Sequence, residues 1–162
     1  MLASNTSTLV LLAKVDCLEI FIESSPKIEV PDEVRVEALF HEETYYARLI
    51  KKLIQENKIK INKVDTVKTR EIMKDFRLDL GEAATYIMYD QKRHKAILTD
   101  DGELIKLCKL EGIPFICAMA VIIKLYEDNK LTKDETIIIL NKLNEIGRYS
   151  KNLYEHFIKL LK

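Results

Sequence analysis

Apolar and polar residues follow two rhythms along this chain, and the two trade places in a regular order. Leu9, Leu12 and Ala13 fall at helical spacing, which predicts a helix over 6–15 after a short apolar strand at 1–4. Ser24-Ser25-Pro26 marks a turn, and Lys27-Ile28-Glu29-Val30 reads as a strand. Pro31 and Asp32 open a helix that carries Val34, Ala38 and Leu39. Tyr46, Leu49, Ile50 and Leu53 then share one side of a helix over 44–56. Lys58-Ile59-Lys60-Ile61-Asn62 returns to period two, the mark of a half-exposed strand. A polar helical stretch at 66–76 precedes a helix capped by Asp79 and running to about Gln91. A strand at 96–99, a helix over 102–110 ended by Gly112, and a strand at 114–117 follow. Helices over 119–129, 132–146 and 150–161 complete the chain, with Gly147 as a stop and Ser150 as a cap.

Strands alternate with helices as far as Cys117, which predicts the α/β class. The expected architecture is a central, mostly parallel sheet flanked by helices on both faces, with a helical C-terminal extension over about 119–162. A length of 162 residues suits a single domain, 1–162, with a sizeable core. The chain has 26 basic and 26 acidic residues, so no overall positive field advertises a polyanion binder. A local acidic site ringed by lysines would give the same sum. No stretch approaches the length of a membrane span, and residues 1–15 lack the features of a secretory signal, so no membrane partner and a cytoplasmic location are expected.

Several chemistries drop out. Cys17, Cys108 and Cys117 form no CxxC pair, no histidine stands at zinc-finger spacing, and the thiols read as small apolar residues. His41, His94 and His156 form no recognisable triad with a nucleophile. A phosphate loop needs glycines after the first strand, and the four glycines all lie at position 81 or beyond.

What remains is oxygen. Asn5-Thr6-Ser7, Glu37, Glu82 and Thr99-Asp100-Asp101 sit where apolar stretches end or helices begin, the place where parallel α/β folds keep their ligand sites. Each has an ordinary explanation alone. Asn5 and one of Asp100 and Asp101 suit helix caps, and Glu82 suits the first turn of its helix. Glu37 lies three residues after Val34 and four before His41, which on one helix puts all three on one side. Independent caps have no reason to fall at successive strand exits. Carboxylates gathered there would repel one another unless a hard cation lay between them.

These segments carry a family resemblance. Ser4-Asn5-Thr6-Ser7-Thr8-Leu9, Pro31-Asp32-Glu33-Val34-Arg35-Val36-Glu37, Leu80-Gly81-Glu82-Ala83-Ala84 and Leu98-Thr99-Asp100-Asp101 resemble, in order and spacing, the PIN-domain family of metal-dependent ribonucleases. Ile146-Gly147-Arg148-Tyr149-Ser150 is similar to a prokaryotic PIN-like branch, and the likeness runs nearly end to end. It implies a three-layer Rossmann-like fold whose strand ends gather acidic residues around Mg2+ or Mn2+. By position, Asn5 stands where the family usually has aspartate, Glu37 and Glu82 match its second and third acidic residues, and the fourth is Asp101 or Asp100. Glu37, Glu82 and Asp101 are thereby the implied catalytic residues. Thr6 or Ser7 matches the small polar residue, and Thr99 would support the last carboxylate. The implied activity is endonucleolytic cleavage of RNA, in some members as the toxin of a toxin–antitoxin pair, with an antitoxin protein and a second copy of the chain as partners. Two departures stand out: Asn5 lowers the charge by one, and Cys117-Ala118-Met119-Ala120 lacks the expected glycine-threonine character. A non-catalytic module binding RNA or protein is the competing reading. Lys14 and Lys106 are the guesses for cations that hold the RNA backbone.

Overall fold

The structure, a computed structural model, describes residues 1–24 and 27–161. The expected turn at Ser25-Pro26 lies outside them. Among the described residues five strands, β1 (Leu2–Ser4), β2 (Ile28–Pro31), β3 (Ile59–Asn62), β4 (Ala96–Leu98) and β5 (Phe115–Ile116), form one sheet in the order β3-β2-β1-β4-β5. Every pairing is parallel. The chain winds outward from β1 through β2 and β3, then crosses back to lay β4 on the other side of β1. That reversal opens a crevice beyond the carboxyl ends of β1 and β4.

Strand residues point alternately to the two faces, and the sheet sorts its side chains accordingly. Leu2, Ile28, Val30 and Leu98 join the larger core. Helices α1 (Thr6–Lys14), α2 (Leu18–Ser24), α3 (Asp32–Ala38), α4 (Tyr45–Gln55), α8 (Ala118–Glu127), α9 (Lys133–Ile146) and α10 (Lys151–Lys159) contribute to that layer. Ala3 and Ile97 face the smaller core, completed by α5 (Thr66–Asp75), α6 (Leu80–Met88) and α7 (Gly102–Glu111). Three layers result, with α8 to α10 forming the expected helical C-terminal part.

Three local expectations need correction. Residues 18–24 form a helix where periodicity suggested none; Asp16 takes the left-handed φ of 57°, α1 stops, and the chain restarts as α2 with Leu18 and Phe21 buried. The helix begun at Asp79 ends at Met88, not near Gln91, and Tyr89 is extended. The reason lies in the next turn: Asp90 N donates to His94 Nδ1 at 3.0 Å, and Asp90 O accepts from the His94 amide at 2.7 Å. Lastly, α3 ends at Ala38, so His41 falls in the following turn and does not share a helical side with Val34 and Glu37.

A candidate carboxylate cleft at the strand ends

The crevice between β1 and β4 is a cavity of about 380 Å³. Its acidic lining comes from Glu37, Asp79, Glu82, Asp100 and Asp101, with Asn5, Thr6 and Ser7 alongside. Each acidic group arrives by a local rule. Asp79 and Glu82 build a reciprocal cap on α6, with Glu82 N donating to Asp79 Oδ1 at 2.9 Å and Asp79 N to Glu82 Oε2 at 3.2 Å. Asp101 caps α7, accepting from Leu104 N at 2.9 Å, and its own amide donates to Thr99 Oγ1 at 3.1 Å. Glu37 comes from the last turn of α3, which packs against α6. Gly81 allows that approach, because a Cβ there would lie 2.6 Å from Glu37 Oε2.

The two adjacent aspartates do different work. Asp100 is a structural knot. Its Oδ1 accepts from Thr8 Oγ1 at 2.6 Å and from Ala118 N at 2.9 Å, while Oδ2 accepts from the Tyr149 hydroxyl. Burial still holds its pKa above the usual range despite those three donors. Asp101 uses one oxygen for its cap and turns the carboxylate toward Glu82. Of the two, Asp100 has both oxygens engaged by donors, and Asp101 has one engaged by its helix cap.

Asn5 occupies the first cap position of α1 yet makes no side-chain capping bond. Its Oδ1 accepts from Ser7 Oγ at 3.0 Å instead, and Ser7 Oγ also accepts from Asp100 N at 2.9 Å. Ser7 thus braces both sides of the crevice. The buried Thr6 hydroxyl has no well-formed hydrogen bond among the described residues; it lies beside Glu37 and favours that group's ionised form.

Electrostatics set this cleft apart. Burial, then hydrogen bonding and repulsion from Asp79 and Asp101, push the Glu82 pKa up to about 9. Glu37 is also raised, first by burial and then by the charges of Asp79 and Asp101, against the easing effect of Thr6. Among the described residues Arg148 is the one cationic side chain lining the cavity. Neither expected lysine reaches it: Lys14 lies over the Tyr46 ring, and Lys106 pairs with Glu103 at 3.2 Å.

The donor set is all oxygen, with surplus negative charge and no histidine or thiol, which suits a hard divalent cation. Among the described residues no three His, Cys, Asp or Glu side chains already surround one ion-sized point. The cleft is a set of donors, not a finished cage.

Two members escaped the sequence reading. Asp79 was visible as a cap but not as a third charge against Glu82. Arg148 lay in a recognised motif, and nothing in local spacing shows that a residue so late in the chain folds back to β1. The fold does that through Asp100 and Tyr149. Among the described residues no helix is long and apolar enough to cross a membrane.

Comparison with known families shows that the family model of the PIN domain covers residues 1–162. Among curated proteins nothing matches.

Proposed function

Since the chain belongs to the PIN-domain family, a nuclease-like fold, we propose that it is a metal-dependent endoribonuclease acting on RNA phosphodiester bonds. One observation carries this reading. At the topological switch point four carboxylates, Glu37, Asp79, Glu82 and Asp101, crowd together, and burial with the acidic neighbours pushes the Glu82 pKa well above the usual carboxylate range. A cation bound among carboxylates that repel one another at a strand-end crevice would relieve that repulsion.

Glu37, Glu82 and Asp101 would hold Mg2+ or Mn2+, with Asn5 offering a neutral amide oxygen and Asp79 a further charge nearby. When bound, such an ion lowers the pKa of a water and offsets charge on the phosphate. The remaining roles belong to the chain. Thr99 fixes the backbone of Asp101, Ser7 fixes Asn5 against the Asp100 amide, and Thr6 partly offsets the upward push on the Glu37 pKa. Arg148 stands at the mouth, where its guanidinium can grip a phosphate in bidentate fashion. Tyr149, tied to Asp100, keeps that segment in place. Hydrolysis adds one water across one P–O bond, so no side chain needs to form a covalent link.

The test uses the full chain with structured and unstructured RNA in the presence of Mn2+. Cleavage that stops with a chelator and with Glu82→Gln supports the reading. Intact RNA across several sequences, with no cation bound in calorimetry, removes it. A second reading, a non-catalytic module that binds RNA or protein, is favoured by Asn5 standing in a position of usual aspartate and by the unfinished cage. Restoring the charge with Asn5→Asp separates the two, because only a site meant for chemistry gains activity from it. Action as a toxin restrained by an antitoxin protein is part of the first proposal. So is a homodimer resting on the exposed Ile138 and Leu160 of the C-terminal helical part.

A further inference from the structure

Beside the carboxylate cleft lies a second cavity, about 410 Å³, that shares Thr6, Val10 and Glu37 with it. Its far wall is apolar and aromatic: Val36, Phe40, His41 and Tyr46. Phe40 is 75% exposed and meets the His41 ring edge-on at 5.0 Å between centroids. Lys14 Nζ sits 5.2 Å from the centre of the Tyr46 ring. Past Phe40 the surface continues into a groove that shares Val36 and Phe40 and carries Arg35, Arg48 and Lys51 against one carboxylate, Glu42. Arg35 is held by Asp32 at 2.6 Å, whereas Arg48 and Lys51 are exposed. In order, the molecule presents an acidic cleft, an aromatic shelf and a basic groove, each continuous with the next.

That order matches the chemistry of one polymer. A single-stranded nucleic acid offers a phosphate, then an unpaired base with an apolar face, then further phosphates. A duplex keeps its bases stacked inside and cannot present one to Phe40. A purely apolar protein segment would fit the shelf but would have to end against carboxylates on one side and cations on the other. We propose that the Phe40 shelf is a nucleobase subsite. The base next to the scissile phosphate stacks on Phe40 beside Tyr46, and Arg48 and Lys51 hold the phosphates beyond it. The position of the scissile phosphate rests on the nuclease reading above; the stacking itself does not.

The experiment is fluorescence anisotropy of labelled oligouridylate, an abasic oligomer of equal length and a hairpin duplex, with a chelator present so that nothing is cut. Phe40→Ala is expected to weaken oligouridylate binding about tenfold, the scale of one lost base stack, and to leave the abasic oligomer unchanged. Phe40→Trp is expected to restore the wild-type affinity. No binding of the single strand, equal loss for the abasic oligomer, or a duplex bound as tightly as the single strand would each overturn the subsite. Kinetics in Mn2+ keep the two proposals apart. A raised KM with nearly unchanged kcat in Phe40→Ala supports both. Wild-type cleavage with an unchanged KM in Phe40→Ala removes the subsite and keeps the nuclease; Phe40-dependent binding without cleavage does the reverse.

Discussion

Two groups of carboxylates in this molecule meet opposite fates. Glu29, in β2, is buried at 3% exposure on the smaller-core face of the sheet. Arg93 reaches it with Nη2 at 3.0 Å and Nη1 at 3.3 Å, and His94 Nε2 lies 3.0 Å away. Because Asp90 N donates to His94 Nδ1, the neutral ring keeps its proton on Nε2 and gives it to Glu29. Burial alone would raise the Glu29 pKa, but these hydrogen bonds and the Arg93 charge hold it below the usual range. Glu82 is half-buried, and its pKa climbs to about 9, first through burial and then because its close neighbours, Asp79 and Asp101, are acidic and not cationic. A carboxylate the fold has paired is scaffold. One left among its own kind is the kind of group the proposed cation would relieve.

The sharpest way to test that contrast is to neutralise one member of each group. Glu82→Gln should lower RNA cleavage by roughly 10²-fold or more, beyond the cost of disturbing a mere supporting partner, while its melting temperature without added metal stays equal to or above that of the wild type. Steady-state kinetics and thermal unfolding read the two halves. Glu29→Ala should do the reverse. It strands a buried histidine and a half-exposed arginine, and should cost about 3 kcal/mol, the low end for a broken buried pair because Arg93 keeps one side in water. Denaturant unfolding measures that loss, and Mn2+ affinity of the surviving folded protein should stay within about twofold of wild type, because Glu29 does not line the cleft. A Glu29 variant that loses metal affinity as steeply as Glu82→Gln would dissolve the distinction.

The same contrast explains what could be read from the chain. Helices and strands were legible wherever period and caps agreed, as at Asp79 with Glu82 and at the Asp100-Asp101 pair, of which Asp101 proves to be the cap. Glu37, Glu82 and Asp101 stood out because strand exits are few and a parallel sheet brings them together. Glu29 did not stand out. In Lys27-Ile28-Glu29-Val30 it looks like the solvent face of a strand, and its partners are Arg93 and His94, more than sixty positions away. The end of α6 was misplaced for the same reason, since the His94 contacts that turn the backbone at Asp90 are not local in pattern. That Asp100 has both oxygens engaged was equally hidden, because its donors are Thr8, Ala118 and Tyr149.

Smaller effects follow from the knot that separates those two aspartates. Tyr149→Phe removes one of three donors to Asp100 and should cost about 1 kcal/mol in denaturant unfolding. By loosening the Arg148 segment it should also raise KM for RNA while leaving the Asp100 contacts to α1 and α8 in place. An unchanged KM would confine Tyr149 to a structural role.

A separate effect is one of pH. In the absence of metal, Glu82 keeps a proton in the folded chain between its ordinary value of 4.5 and about 9, where the unfolded chain has lost it. The folded state binds more protons across that window, so this group makes stability fall as pH rises through it. Subtracting the unfolding free energies of Glu82→Gln from those of the wild type at each pH isolates the slope. Glu29, with its lowered pKa, bends the other way: its stabilisation is present above the ordinary carboxylate range and is lost as acid protonates it in the fold.

The central claim is that the strand-end carboxylates form a cation site. Calorimetric titration of Mn2+ into the full chain at neutral pH, repeated in two buffers of different ionisation enthalpy, tests it most directly. A saturable binding event that releases a proton in the wild type, and loses both proton and affinity in Glu82→Gln, is the expected result. Absence of binding, or binding of equal strength in both proteins with no proton released, would contradict it.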